Sequence, residues 1–144
     1  MIPGDYMVHV FIEWGKNIKC GEGSTVDPLV GIEVFGIKKF TKVKDHIDEN
    51  SLVEFNEHLF FEPKNVAEVD LLKSKISIKL LDKGFINSEL LGYYEFDLHH
   101  IYSQGDKHAI LHRWLSMTDP AAENYFEVSA NLKISIAVCG PKDR

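Results

Sequence analysis

ISIKL at residues 76–80 and LKISI at residues 132–136 are the two stretches that decide the fold. In each of them, apolar side chains occupy every second position, so all of them lie on one face of an extended backbone. A strand of this kind packs its apolar face on a core and exposes its polar face to water. Both stretches therefore predict half-buried β-strands.

Six further runs rich in β-branched and aromatic residues have the same character, and segments rich in Gly, Asn, Asp and Pro separate them. The predicted strands cover residues 6–14, 29–34, 37–43, 53–61, 75–81, 91–97, 112–117 and 131–138. Helix is expected only as short turns at residues 65–72 and 98–103, since neither segment has the length of a stable helix. Eight strands with little helix predict an all-β sandwich or barrel.

The bulk properties exclude several classes of protein. A chain of 144 residues fits one domain, which we expect to span residues 1–144 with its core at about residues 6–140. A net charge of −6 disfavours nucleic acid as a partner. No apolar run approaches the roughly 18 residues of a spanning helix, so the piece is expected to be soluble. Cys20 and Cys139 have no metal or disulfide spacing and are expected to be reduced in the cytosol.

Two segments resemble C2 domains. Residues 26–30, Val-Asp-Pro-Leu-Val, are similar to the C2 pattern Ser-Asp-Pro-Tyr-Val, and residues 55–61 are similar to Trp-Asn-Glu-x-Phe-x-Phe with Phe55 in the Trp position. Residues 90–102, 113–120 and 138–143 resemble the end of internal C2 domains of ferlins. The resemblance implies an eight-stranded antiparallel C2 β-sandwich.

Ferlins are large tail-anchored proteins with several C2 domains, and they act in vesicle exocytosis, membrane fusion and membrane trafficking. The resemblance thus implies a fragment that works at the cytoplasmic face of a vesicle or of the plasma membrane. Its implied partners are anionic phospholipid, including phosphoinositide, and other domains of the same ferlin. The alternative is a protein-interaction or structural module that packs against neighbouring ferlin domains without lipid or calcium. A C2 domain of an unrelated signalling protein is a third hypothesis, which the ferlin-like end disfavours.

Calcium-binding C2 domains gather about five aspartates from two loops, because this hard cation needs six to eight oxygen ligands. Here Gly21 stands at the first expected position, and Lys83 intrudes into the later loop, where it repels a cation. The acids left in these degenerate loops are Asp27, Asp82 and Glu89, with Glu22 as a fourth candidate. We favour the interpretation that Asp27 and Asp82 organise turns, and we expect weak or absent calcium binding and no other cofactor.

Lys83, Phe85 and Ile86 are candidates for membrane contact, since they place two large apolar side chains beside a lysine in a loop. Inserting each apolar side chain contributes about 1.5–3 kcal/mol, and a lysine near an anionic leaflet adds about 1 kcal/mol. The alternative is that Phe85 and Ile86 fold back onto the sandwich or onto a neighbouring domain.

A basic patch formed by Lys38, Lys39, Lys42 and Lys44 is the second membrane candidate. It corresponds to the strand that carries a lysine-rich phosphoinositide patch in some C2 domains, and Lys42 and Lys44 are expected on one face. The alternative is that these lysines protect an edge strand from aggregation.

No enzyme chemistry is predicted. His108 and His112 have the spacing of a zinc-binding helix, but the segment runs into a strand, where that spacing does not bring two ligands together. No nucleophile elbow or phosphate loop is present in the sequence. Four aromatic residues are expected in the core: Trp14, Phe35, Phe60 and Trp114.

Overall fold

A computed structural model describes residues 6–20, 24–63, 70, 73–84, 88–103, 108–119 and 127–139. The strands are β1 (Met7–Lys16), β2 (Pro28–Val34), β3 (Ile37–Phe40), β4 (Val53–Phe61), β5 (Lys75–Lys83), β6 (Ser88–Asp97), β7 (Ala109–Thr118) and β8 (Val128–Cys139). A five-residue helix, α1 (Leu98–Tyr102), lies between β6 and β7. Within the described ranges, no helix is long and apolar enough to cross a membrane.

The strands form one antiparallel sheet in the order β3-β2-β5-β6-β7-β8-β1-β4. The described parts of β6 and β7 are joined by one pair of residues, Tyr93 and Thr118, whereas the other neighbouring strands pair along four or more residues. The sheet therefore divides there into two four-stranded layers. The predicted eight-stranded antiparallel sandwich is confirmed, and the position of β1 between β8 and β4 gives the strand permutation that the sequence left open.

The core lies between the two layers and follows the alternation read from the sequence. Ile76, Ile78 and Leu80 of β5 are at most 1% exposed, and the three apolar residues of LKISI in β8 are fully buried. Burying one such side chain contributes about 1.5–3 kcal/mol. This core holds β2 and β5 in the positions that place the candidate site.

The third predicted strand is shorter than expected, because β3 ends at Phe40 rather than at residue 43. Thr41 is buried, and its hydroxyl accepts a hydrogen bond from the backbone N–H of Val30 at 2.9 Å. In a regular β-ladder this N–H would donate to a backbone carbonyl of the neighbouring strand. Because the Thr41 hydroxyl accepts the bond instead, the regular pairing of β2 and β3 ends here. Lys42 and Lys44 therefore lie after the end of β3. The expectation that their side chains share one face assumed that both residues belong to this strand, so it does not apply.

The prediction of four core aromatics is wrong for Phe60 and Trp114, which are 42% and 37% exposed, and only partly right for Trp14 and Phe35, which are half-buried. In β7 the register with β8 shifts between Ile110 and Arg113. Such a bulge changes the face to which the following side chains point. Trp114 consequently lies on the outer surface.

Candidate functional site

Asp27 and Asp82 meet where β2 begins and β5 ends. The backbone N–H of Asp27 donates a hydrogen bond to Oδ1 of Asp82 at 2.8 Å, and the N–H of Lys83 donates to the carbonyl of Asp27 at 3.0 Å. The register of β2 and β5 places Pro28 opposite Asp82, so these bonds continue the ladder at its end. The Asp82 carboxylate thus fastens the start of β2.

The carboxylate of Asp27 is engaged in the same way. Its Oδ1 accepts a hydrogen bond from the backbone N–H of His46 at 2.8 Å. Val26 and Ile47 exchange two backbone hydrogen bonds of 2.8 Å beside it. Asp27 therefore holds the segment after β3 against the start of β2, and one of its oxygens already has a protein donor.

The predicted acids are divided between two hollows at this end of the sandwich. Asp27 lines one hollow of about 500 Å³ together with Asp45 and Lys83. Asp82 and Glu89 are cross-strand partners and line another hollow of about 480 Å³. The second hollow is also lined by Lys19, Asp119 and Glu127.

Asp45, Asp119 and Glu127 were not identified from the sequence. Asp45 directly follows the basic run Lys42–Lys44 and matches no calcium-loop position, and Asp119 and Glu127 lie 37 and 45 positions after Asp82 along the chain. Glu127 forms an ion pair with Lys19 at 2.5 Å. In the described part of the chain, no three His, Cys, Asp or Glu side chains are close enough to share a metal ion. Glu22 lies outside the described residues.

The loop tip is described only at its base. Lys83 and Gly84 are exposed, and Lys83 pairs with Ser88 across the β5–β6 hairpin. Phe85 and Ile86, the two apolar candidates for membrane contact, lie outside the described residues.

The four lysines of the basic patch have different environments. Lys38 and Lys42 are exposed, whereas Lys39 and Lys44 are half-buried. The ammonium group of Lys39 donates a hydrogen bond to the carbonyl of Phe60 and lies 4.9 Å from the centre of the Phe60 ring. Lys39 therefore bridges β3 and β4, the two ends of the sheet order, and is less available to a ligand than Lys38.

A shallow hollow of about 160 Å³ lies on the outer face of the layer that contains β3, β2 and β5. Phe40 lines it and is 52% exposed, with Lys38 and Lys79 also in the wall. The Phe40 ring packs against the backbone of β2 because Gly31 has no side chain, since a Cβ there would lie 2.8 Å from the ring. We call this surface the Phe40 face, defined by Lys38, Phe40, Lys79 and Leu81. Sequence reasoning identified only Lys38 of these four residues.

His108 and His112 contact different partners. His108 stacks on Tyr102 with ring centroids 4.1 Å apart, while Nδ1 of His112 lies 2.9 Å from Oε1 of Glu13. The hydroxyl of Ser135 donates to Oε2 of Glu13 at 2.9 Å and accepts from the backbone N–H of His112 at 2.8 Å. The Ser135 hydroxyl thus donates to the carboxylate, whereas in a Ser-His-acid triad the hydroxyl donates to the imidazole. Glu13 and Ser135 fasten the bulge of β7.

These hydrogen bonds change the acidity of Glu13. Burial alone would raise the pKa of its carboxyl, but the hydrogen bonds from His112 and Ser135, together with the nearby charge of His112, outweigh burial and lower the pKa below its ordinary value. The charged form of Glu13 is therefore stabilised in the folded chain.

A cluster of four stacked side chains lies on the opposite outer face, on β1 and β4. His58 stacks on Phe11 with ring centroids 4.2 Å apart, and His9 stacks on Phe60 with centroids 6.2 Å apart. Nδ1 of His9 lies 2.9 Å from Nε2 of His58. Burial lowers the pKa of His9, the nearby His58 lowers it further, and Glu62 offsets part of the shift. Sequence reasoning missed this cluster, because its members lie on two strands about 50 residues apart and share no local motif.

Solved structures share this fold, whereas no family model matches the sequence. Extended synaptotagmin 2, in a structure of its SMP domain and two C2 domains, has a TM-score of 0.71 at 13% identity over 95% of this chain. A C2 domain of a plant extended synaptotagmin 1 has a TM-score of 0.65 at 19% identity, with 97% of each chain covered. Human GIVD cytosolic phospholipase A2 has a TM-score of 0.63 at 15% identity over 100% of this chain.

The chain spans 28% of the extended synaptotagmin 2 chain and 18% of the phospholipase chain. At these identities the matches concern the fold alone. Combined with the strand order and the paired aspartates at the start of β2 and the end of β5, they identify this chain as having the fold of a C2 domain.

Proposed function

We propose that the chain is a non-catalytic C2 module that contacts anionic phospholipid membranes peripherally, with weak or absent calcium dependence. The Phe40 face carries this proposal. It combines a large apolar side chain that is 52% exposed with the ammonium groups of Lys38 and Lys79. An apolar group that enters the bilayer boundary and cations that meet anionic headgroups are the two attractions that hold peripheral proteins on membranes.

The weak calcium dependence is supported by the hydrogen bonds of the two loop aspartates. Asp27 and Asp82 each direct one carboxylate oxygen at a backbone N–H. The remaining acids are divided between two hollows, each with a lysine in its wall. A calcium ion needs several carboxylates that converge on one point, and the described residues favour membrane contact without it.

The wider role rests on the sequence resemblance. We place the module in a ferlin-like protein that serves vesicle-membrane fusion and trafficking at the cytoplasmic face of a vesicle or of the plasma membrane. Phosphoinositide is the anionic lipid that the Phe40 face suits best, since its headgroup carries several charges for Lys38 and Lys79. The loop-tip residues Lys83, Phe85 and Ile86 are proposed as a second contact.

A second candidate function is a module that packs against neighbouring domains of the same ferlin. The other layer of the sandwich favours it, because Phe11, Leu111 and Trp114 are 46%, 54% and 37% exposed. Exposed apolar side chains mark an interaction surface where they adjoin one another, and this second proposal assigns that role to these three residues.

Co-sedimentation with liposomes tests the proposal. Vesicles of neutral lipid, of neutral lipid with phosphatidylserine, and of the same mixture with phosphoinositide would be used in chelator and again in excess calcium. The wild-type chain is expected to bind the anionic vesicles in both conditions. Losing each lysine should weaken binding about fivefold, since a lysine near an anionic surface contributes about 1 kcal/mol.

Four variants separate the surfaces. Phe40→Ser and the double variant Lys38→Gln/Lys79→Gln should weaken binding, while Phe11→Ser is the matched control, because Phe11 is similarly exposed on the other layer. A Phe85→Ser/Ile86→Ser variant measures the contribution of the loop tip. Binding only in calcium would contradict the proposal, and no binding to any vesicle would favour the interaction module.

A further inference from the structure

We infer that Lys16, Trp114 and Lys133 form a second contact surface for an anionic bilayer, on the side of the sandwich opposite to the Phe40 face, so that one domain joins two membranes. This inference rests on the proposed membrane contact of the Phe40 face. We call the surface formed by these three residues the Trp114 face. Its residues belong to β1, β7 and β8, which are neighbours in the layer that does not contain the Phe40 face.

The strand pairing brings these three side chains together. Trp114 of β7 is directly opposite Lys133 of β8, and Lys16 of β1 is opposite Asn131, two positions before Lys133. Side chains two positions apart on a strand lie on the same side of the sheet. The ammonium groups of Lys16 and Lys133 lie 4.2 Å and 6.0 Å from the centre of the Trp114 ring. The ring attracts both cations, so it holds them beside itself at the surface.

The Trp114 face has the composition of a membrane contact. Trp114 is 37% exposed, and both lysines are half-buried. An indole ring favours the boundary between headgroups and acyl chains, because its body is apolar and its N–H is polar. Lysine stems lie along apolar surface while the ammonium groups reach the headgroups. Like the Phe40 face, this surface therefore combines an exposed aromatic side chain with two lysines.

The charges of the two lysines are only partly offset by acids. The charge of Lys133 helps to lower the pKa of Glu13, so Glu13 lies near it, but the Glu13 carboxylate already accepts hydrogen bonds from β7 and β8. Glu54 of β4 lies further away, opposite Trp14. In the part of the chain that the structure describes, neither Lys16 nor Lys133 forms an ion pair. Both ammonium groups are therefore available to lipid phosphates.

The Trp114 face and the Phe40 face point in opposite directions. Each is the outer surface of one layer, and the inner surfaces of the two layers enclose the core. The two sheets of a sandwich pack about 10 Å apart, so bilayers on the two faces would be separated by the thickness of one domain. A single chain bound to two vesicles in this way should make vesicles cluster.

Dynamic light scattering of vesicles with and without the full chain tests this inference. Vesicles of neutral lipid with phosphatidylserine should cluster in chelator, and vesicles of neutral lipid alone should not. Lys16→Gln/Lys133→Gln should weaken clustering about 25-fold, since each lysine near an anionic leaflet contributes about fivefold. The variant should still sediment with the anionic vesicles through the Phe40 face. Lys73→Gln is the matched control, because Lys73 is exposed and lies outside both faces, and thermal unfolding verifies that each variant is folded.

Tryptophan fluorescence measures the contact directly. The sequence has two tryptophans, so Trp14→Phe leaves Trp114 as the single emitter. Anionic vesicles with brominated acyl chains should quench its fluorescence. Vesicle binding without clustering and without quenching would overturn this inference and leave the Phe40 proposal intact, whereas no binding to any vesicle would overturn both. A dimer in solution that Trp114→Ser dissociates would also overturn it, because the face would then bind a second copy of the chain.

Discussion

Replacing Glu13 by glutamine removes one negative charge from the junction of β1, β7 and β8 and leaves the shape of the side chain unchanged. Glu13 receives hydrogen bonds from Ser135 at 2.9 Å and from His112 at 2.9 and 3.0 Å. A hydrogen bond to a charged group contributes about 1.5–3 kcal/mol. The His112 side chain is 69% exposed, so water screens its interaction, and we expect a net loss of about 1 kcal/mol. In a chain of this size, that loss lowers the unfolding midpoint by about 4 °C.

The effect depends on pH in a defined direction. The folded-state pKa of Glu13 lies below its ordinary value of 4.5, so the unfolded chain binds more protons at acidic pH. The stabilisation by the carboxylate is therefore complete above the ordinary pKa and is lost as the pH falls through the lowered pKa. The midpoints of the wild-type chain and of Glu13→Gln should differ by a constant amount between about pH 6 and pH 5 and converge at lower pH.

Thermal unfolding followed by circular dichroism over a series of pH values measures this difference. Glu54→Gln is the matched control, since Glu54 is an exposed carboxylate on the neighbouring strand β4. A double-mutant cycle of Glu13→Gln with His112→Ala isolates the coupling of the pair. An equal loss of midpoint at pH 3 and at pH 6 would refute the reasoning, because it would show that the charge of Glu13 is not what stabilises the fold.

Two further substitutions test packing at the sheet ends and at the junction of the layers. Gly92→Ala should destabilise the fold by about 1–3 kcal/mol, because the new Cβ would lie 3.0 Å from Cβ of Met117, and an unchanged midpoint in urea would contradict this packing. Lys39→Ala should cost about 1 kcal/mol through the lost contacts with Phe60, while Lys38→Ala should have no measurable effect. Equal midpoints for the two lysine variants would show that Lys39 does not bridge β3 and β4.

The strands were predictable because the alternation of apolar and polar side chains is a local property of the sequence. ISIKL became the centre of β5 with its three apolar residues buried, as expected. The end of β3 was not predictable, because it depends on a hydrogen bond from the backbone N–H of Val30 in β2 to the hydroxyl of Thr41, the residue that follows β3. The position of Trp114 was not predictable either, since a bulge changes the outward face and leaves no mark in composition.

The sequence identified individual residues of the candidate site, but it did not show which of them lie close together in the fold. Asp27 and Asp82 were identified from the motif that precedes β2 and from the end of the β5 pattern. Their hydrogen bond joins residues 55 positions apart, so it depends on the pairing of β2 with β5. Knowledge of the same strand pairing would also have identified Lys79. Gly31 of β2 is paired with Lys79 of β5 on one side and with Phe40 of β3 on the other, so Lys79 and Phe40 belong to the same surface. The order of strands in the sheet was the missing information.

The charges at the two candidate surfaces differ in a way that bears on the proposed membrane contact. At the loop end, Lys83 stands with Asp27 and Asp45 in one hollow, and the acids of the other hollow stand with Lys19. Each lysine offsets part of the negative charge that would attract a cation, at about 1 kcal/mol for two charges 4 Å apart in water. On the Phe40 face, by contrast, Glu33 is the single acid among the described lining residues. The proposed contact of the Phe40 face with an anionic surface therefore needs no cation between them, and this charge difference is the physical basis on which we propose calcium independence.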